Sequence, residues 1–139
     1  MATFVKLNGF VEHLAEKVHN LGSDQLAVAL SNTAPGSEGT PPTGSTAACV
    51  LANVTQVSYT NCSSRNITTS TSAQTSGTYK LVLGDVVFTA SGGSIGPFRY
   101  AVLYNDTPTS PADPLIAWWD YGSSITLADT EVTSGSILS

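Results

Sequence analysis

Histidine, aspartate and tryptophan are the residue types of this chain that could bind a metal, act as acid or base, or stack on a ligand. The two histidines, His13 and His19, could serve as general bases or metal ligands. Both fall within a helical pattern over residues 8–21, in which apolar residues recur every three or four positions. A separation of six residues puts their side chains on different sides of a helix, and no cysteine or acidic cluster accompanies them. We therefore predict that both lie on a solvated helix face and that the chain binds no metal.

Aspartates could supply the paired acid and base of a glycosidase. Each candidate has a neighbour of the kind found in turns, so turn and capping roles explain them; they are Asp85, Asp106, Asp113 and Asp120. The glycine-rich residues 92–97 lack the lysine and the following helix of a phosphate-binding loop. No Gly-x-Ser-x-Gly sequence presents a serine nucleophile. We predict a protein that is not an enzyme and uses no cofactor.

Two adjacent tryptophans, Trp118 and Trp119, lie in a strand-like run, so their side chains must point to opposite sides of a sheet. One of them can pack in the core, while the other packs under the helix or at an interface. A carbohydrate-stacking platform is a further interpretation, with Tyr121, Asp120 and Asn105 beside Trp119. Core packing, a subunit interface and ligand stacking all stay open at this point.

Three apolar runs, residues 79–90, 98–104 and 115–121, organise the chain and are separated by turn-forming residues. In the middle run Phe98, Tyr100, Val102 and Tyr104 share one parity, which predicts a large aromatic face. The apolar phase of the first run changes at residues 84–85. This change predicts a bulge in one long strand, which we favour over a tight hairpin.

The remaining elements complete a mainly β domain over residues 1–139. Residues 25–31 and 67–72 predict short strands, and the helix at 8–21 would close an open end of the β core. Residues 32–47, which include Pro35, Pro41 and Pro42, predict a long arm without regular structure. We predict a β-sandwich or a related two-sheet barrel of seven or eight short strands with one N-terminal helix.

Charge and composition exclude several partners. A net charge of −5 and five scattered basic residues argue against nucleic acid and against an anionic membrane surface. Residues 1–6 lack the apolar segment of a signal peptide, so we expect synthesis and folding in a cytosol. In that compartment Cys49 and Cys62 are expected as free thiols. The charged fraction of 11% is low and is typical of β-rich subunits whose surfaces are covered by neighbours.

Four stretches carry a resemblance to a known group of proteins. They are residues 10–24 (FVEHLAEKVHNLGSD), 31–35 (SNTAP), 96–107 (GPFRYAVLYNDT) and 114–123 (PLIAWWDYGS). These stretches resemble small structural proteins of tailed-bacteriophage virions. Members of that group continue after Leu127 with a Gly-Glu-Thr-Phe run, whereas residues 129–133 of this chain depart from it.

The resemblance implies a protein of the virion, made in the bacterial host cytoplasm. Within that group we favour a capsid decoration (cement) protein that binds the major capsid protein as a dimer or trimer. A tail component that contacts tail proteins and a carbohydrate-binding module for the host surface are the alternatives. The residues expected at the interface are Phe98, Tyr100, Trp118, Trp119, Tyr121, Pro35, Pro41 and Pro42.

Overall fold

The computed structural model describes residues 2–35 and 49–129 and the backbone of residues 132 and 133. The predicted mainly β fold with one N-terminal helix is confirmed, with nine described strands in place of seven or eight. The helix α1 spans Asn8–Ala15, and a 3₁₀ turn spans Leu51–Asn53. The strands are β1 (Thr3–Lys6), β2 (Leu26–Ser31), β3 (Asn66–Ile67), β4 (Thr69–Thr75), β5 (Thr78–Leu83), β6 (Phe88–Thr89), β7 (Ile95–Asn105), β8 (Leu115–Leu127) and β9 (Val132–Thr133).

Five strands form the main sheet, which is antiparallel throughout and has the order β1-β8-β7-β2-β3. The long strands β7 and β8 lie at its centre, and all six residues of β2 are buried. Strands β1 and β3 lie at opposite edges, so the described sheet is open and does not close into a barrel. Strands β4 and β5 form a separate hairpin, and β6 pairs with β9.

Both faces of the sheet are buried, because each face packs against a different part of the chain. The first face meets the hairpin, β6 and the region of α1, and its core includes Leu30, Ile67, Phe88, Phe98 and Leu103. The second face is covered by the segment around the 3₁₀ turn, and its core includes Leu7, Ala29, Leu51, Val102 and Trp118. This two-sided burial explains why β2, β7 and β8 are apolar on both parities.

The helix is shorter than predicted, because it ends at Ala15 and not at residue 21. Lys17 takes a left-handed backbone conformation with φ of 64°. The amide of Val18 donates to the carbonyl of His13 at 2.9 Å, and the amide of Lys17 donates to that of Leu14 at 3.4 Å. These two bonds are the Schellman ending of a helix, formed here by a lysine where glycine is usual. The chain therefore turns inward before His19.

The first apolar run contains neither the favoured bulge nor the alternative hairpin at residues 84–85. Strand β5 ends at Leu83, and β6 begins at Phe88 in a different pair of strands. The tight turn lies earlier, at Ser76 and Gly77, which both have positive φ and connect β4 to β5. Positive φ at both central residues is the requirement of a type I′ hairpin turn.

Irregular pairing between β7 and β8 overturns the predicted aromatic face. The register shifts between Phe98 and Tyr100, so Phe98 packs in the first core while Tyr100 packs beside the second. A second shift opposite Leu103 and Tyr104 leaves Ile116 without a register partner. One extra residue in a strand reverses the facing of the residues after it, which simple alternation does not anticipate.

Candidate interface at the first strand

An apolar cleft of about 270 Å³ opens beside the edge strand β1, between α1, β8 and the β4–β5 hairpin. We call it the β1 cleft. It is lined by Phe4, Lys6, Phe10, Leu21, Tyr79, Leu81, Leu83, Leu103, Ile116, Ala117 and Trp119. All but one of these side chains are apolar or aromatic, and the exception is the cation Lys6. Such a surface favours an apolar or aromatic occupant over a charged one.

Two aromatic rings form the outer wall of the β1 cleft. Phe4 and Trp119 are register partners on β1 and β8, and their ring centroids lie 5.3 Å apart. Phe4 is 56% exposed, and Tyr79 on the opposite wall is 50% exposed. Large aromatic side chains this exposed are enriched where a second molecule binds.

The backbone of β1 has one free side among the described residues, because β1 pairs with β8 alone. The amide of Leu7 donates to the carbonyl of Ile116 at 3.1 Å, which fixes the hydrogen-bonding phase of the pair. Since bonding alternates along an antiparallel ladder, Val5 and Thr3 also bond toward β8. The N–H and C=O groups of Phe4 and Lys6 therefore point away from the sheet, toward the position that an additional strand would take.

Neither histidine is on a solvated face, and the prediction that both are is wrong. His13 is fully buried and His19 is 7% exposed, because the early helix ending folds His19 back under α1. Their ring centroids lie 5.7 Å apart, and Phe10, which lines the β1 cleft, packs on His19 at 5.1 Å. The histidines thus support one wall of the β1 cleft.

Burial keeps His19 in its neutral form, and a hydrogen bond from Asn105 holds its ring. The Asn105 amide nitrogen donates to Nδ1 of His19 at 3.1 Å and to the Asp24 carboxylate at 2.6 Å. Its orientation is fixed because its oxygen accepts from the amide of Thr107 at 3.1 Å. Burial lowers the pKa of His19 to about 4, repulsion from His13 adds to the shift, and Asp24 opposes it.

The predicted interface residues do not form one surface. Phe98 is fully buried, while Tyr100 and Trp118 pack edge to face at 5.6 Å on the second face of the sheet. Trp119 lines the β1 cleft, and Tyr121 is 44% exposed further along β8. Pro35 is buried, and Pro41 and Pro42 lie outside the described residues, as do residues 36–47 of the predicted arm. The opposite facing of the two tryptophans is confirmed.

The proposed carbohydrate platform is not assembled around Trp119. Asn105 is fully buried and bonded to His19 and Asp24. The Asp120 carboxylate accepts two bonds from Arg99, at 2.7 and 2.9 Å. Asn105 therefore cannot reach a sugar beside the ring, and Asp120 is already bonded to Arg99.

Of the eleven residues that line the β1 cleft, only Trp119 belongs to the sequence-based interface, and the exposed Phe4 and Tyr79 are absent from it. The pattern at residues 3–6 is polar, apolar, apolar, charged, which is too short to reveal a strand. A phenylalanine four residues before the helix is the available signal in the sequence. Its position beside Trp119 depends on long-range pairing that local sequence does not specify.

Residues 2–35 and 49–129 contain neither a metal cluster nor a membrane-spanning helix. No group of three or more His, Cys, Asp or Glu side chains in this part of the chain could hold a metal ion. No described helix is both long and apolar enough to cross a bilayer.

Of the aspartates, Asp113 lies in a turn with φ of 50°, and burial, aided by Asp106, raises its pKa. That position agrees with the predicted turn role.

Comparison with known proteins gives no match: no family model, no curated protein and no solved structure is significantly similar to this chain. The function is therefore inferred from the geometry of the β1 cleft and from the sequence resemblance.

Proposed function

We propose that this chain is a non-enzymatic structural subunit of a tailed-phage virion, most specifically a decoration protein that binds the major capsid protein. The observation that carries the proposal is the open edge of β1 beside the β1 cleft. An edge strand with unpaired backbone groups and a neighbouring apolar groove is suited to protein–protein contact. The resemblance of residues 10–24, 96–107 and 114–123 to virion proteins supplies the biological setting.

The β1 edge carries few of the features that prevent strand pairing. Isolated edges are commonly protected by prolines, bulges or several lysines. Strand β1 has no proline, pairs with β8 without a register shift and carries one lysine, Lys6. A subunit that is always seated on a lattice has no need of stronger protection.

The mechanism follows from surface burial repeated over many copies. Each 100 Å² of apolar surface removed from water contributes about 2.5 kcal/mol before the costs of association. A single modest contact is weak, but a subunit held at several lattice neighbours gains from multivalency. In this role the protein clamps neighbouring capsid subunits together without covalent chemistry.

The test is reconstitution on capsids. Purified protein is added to expanded capsids that lack it, and the particles are imaged by cryo-electron microscopy. We expect density at regular lattice sites and a higher temperature of DNA release. Bare capsids would contradict the decoration role, and density confined to the tail would assign the protein to a tail component.

A matched pair of variants links this binding to the cleft. Phe4→Ser removes the exposed ring of the β1 cleft, whereas Val87→Ser removes a similarly exposed apolar side chain elsewhere. Phe4 is 56% exposed and Val87 is 45% exposed. We expect Phe4→Ser to reduce capsid occupancy at least about tenfold, the effect of 1.4 kcal/mol, and Val87→Ser to leave it unchanged. Equal occupancy by both variants would show that capsid binding does not depend on the β1 cleft.

A further inference from the structure

We propose that the open edge of β1 pairs with β1 of a second copy of this chain. The two strands run antiparallel about a two-fold axis at Val5 and extend the five-stranded sheet to ten strands. This inference deepens the proposed function and rests on it for the expectation that the chain works as a homo-oligomer. It identifies the surface through which two copies meet.

The spacing of the outward backbone groups makes β1 complementary to itself. The outward groups belong to Phe4 and Lys6, which lie symmetrically on either side of Val5. A two-fold axis at Val5 places Phe4 opposite Lys6 of the second copy and Lys6 opposite Phe4. Each of these pairs exchanges two hydrogen bonds, so four bonds form. Every outward group of Thr3–Lys6 then has a partner within the same short strand.

Two other antiparallel registers keep the hydrogen-bonding phase, and both are less complete. An axis at Phe4 pairs Lys6 with Ala2, which lies outside the strand. An axis at Lys6 brings two cations face to face and pairs Phe4 with Asn8, the first residue of α1. The register centred on Val5 avoids both faults, because it pairs Phe4 with Lys6 inside the strand. It also places β-branched Val5 opposite its own copy.

Side-chain chemistry favours a second copy over a strand of different sequence. Phe4 and Lys6 both line the β1 cleft and therefore project from the same side of β1. In the Val5-centred register each Lys6 lies beside the Phe4 ring of the other copy, where a cation and an aromatic ring attract each other. That ring also extends over the mouth of the opposite β1 cleft. The pairing thus covers the 56% exposed phenylalanine and the apolar surface next to it.

Cysteine cross-linking tests this register directly. In the proposed dimer Val5 faces Val5 of the second copy as a non-hydrogen-bonded pair, with Cα atoms about 4.5 Å apart. This separation is within the range that a disulfide spans. The variant Val5→Cys is prepared with Cys62→Ser, since Cys62 is partly exposed while Cys49 is buried. Oxidised glutathione then serves as the oxidant.

Two variants in the same Cys62→Ser background provide the comparison. Phe4→Cys probes the register centred on Phe4, and Val87→Cys reports random collision of an exposed thiol. We expect the Val5→Cys dimer to form about tenfold faster or more than either, because pairing raises the effective thiol concentration. A rate no faster than that of Val87→Cys would overturn the pairing, and faster linkage through Phe4→Cys would overturn the register.

A second measurement uses the native cysteines. Lys6→Pro removes one outward N–H and leaves the bonds of β1 to β8 in place. We expect sedimentation equilibrium to give a dimer constant at least about tenfold weaker for this variant than for the original chain, because each copy loses one of the four hydrogen bonds. Unchanged dimerisation would contradict the proposal. Both measurements use purified protein, so a dimer that forms but fails to bind capsids would contradict the proposed function alone.

Discussion

The two edges of the main sheet differ in how far other residues of the chain cover them. Strand β3, at one edge, has two residues, and its neighbourhood is covered by side chains and by the β4–β5 hairpin. Strand β1, at the other edge, has four residues and faces the β1 cleft. Among the described residues, one edge is completed within the chain and the other is left open.

Specific contacts complete the sheet around the short strand β3, both against β2 and on the outer side. The Arg65 guanidinium donates to the carbonyl of Val28 at 2.8 Å and stacks on Tyr59, 3.8 Å from the ring centroid. The Gln25 amide donates to the carbonyl of Ile67 at 3.3 Å. The amide of Gly84, just after β5, donates to the carbonyl of Thr68 at 2.8 Å. No equivalent donor among the described residues bonds to the outer side of β1.

The largest effect is expected from breaking the covered edge. Arg65→Ala removes the bond to Val28, the contact with the Tyr104 hydroxyl and the stacking on Tyr59. We expect the free energy of unfolding to fall by about 2 to 4 kcal/mol, since a buried carbonyl loses a charged donor and a ring loses its cation. Denaturant unfolding at neutral pH measures this loss.

Lys80→Ala is the control for charge, because Lys80 is exposed on the β4–β5 hairpin. It is expected to change stability by no more than about 0.5 kcal/mol. Dimerisation through β1 should be unaffected by either substitution. Equal stability losses for the two variants would show that Arg65 does not stabilise the sheet where β2 extends beyond β3.

The next effect is a pH dependence of the folding stability that arises from His19, beside the β1 cleft. Folding lowers the pKa of His19 from 6.5 to about 4, so the unfolded chain binds more protons between these values. Stability from His19 is therefore complete above pH 6.5 and is lost as the pH falls toward 4. The loss amounts to up to about 3 kcal/mol. The groups that act on the His19 ring beside the β1 cleft are His13, which favours its neutral form, and Asp24, which opposes it.

His19→Gln keeps an acceptor for the Asn105 amide and removes the titration. Thermal unfolding followed from pH 7 to pH 4 should show a shallower decline for this variant than for the original chain. Parallel curves for the two proteins would contradict a neutral, buried His19.

A smaller effect on stability, with a larger effect on association, is expected at the open edge. Phe4 is 56% exposed and contacts Trp119. Phe4→Ala should therefore lower monomer stability by about 1 kcal/mol or less, the value of one aromatic contact. Sedimentation should nevertheless show weaker dimerisation. A large loss of stability without any change in association would place Phe4 in the core and not at an interface.

The smallest effect is expected from the ion pair between β7 and β8. Arg99 Nε and Asp120 Oδ1 are 2.7 Å apart at the surface. The hydrogen bond from Arg99 holds the pKa of Asp120 below its ordinary value of 3.8. The stabilisation is therefore present above that value and is lost as the pH falls below it. Asp120→Asn should lower the melting temperature less than Arg65→Ala does, and salt should reduce the difference.

Local patterns in the sequence were sufficient for the central strands and insufficient for their edges. The apolar runs that became β7 and β8 and the opposite facing of Trp118 and Trp119 followed from alternation. The facing of Phe98 relative to Tyr100 did not, because a register shift lies between them. Such a shift depends on the partner strand and has no local signature.

The site was harder to predict than the fold for the same reason. Lys17 ends α1 in a left-handed conformation that favours glycine. Because a lysine is not a stop signal in a helical pattern, the sequence predicts a helix to residue 21 and places His19 on its surface. The β1 cleft joins Phe4, Tyr79 and Trp119, which are separated by up to 115 positions in the sequence. Only the strand order brings them together.

Residue-resolved amide hydrogen exchange at low and high protein concentration tests the difference between the edges most directly. At low concentration the amides of Phe4 and Lys6 should exchange rapidly, while that of Val5, bonded to β8, should be protected. Raising the concentration should slow exchange at Phe4 and Lys6 and leave Ile67 in β3 unchanged. Rapid exchange at Phe4 and Lys6 at every concentration would contradict the account, because the open edge would then have no partner in a second copy.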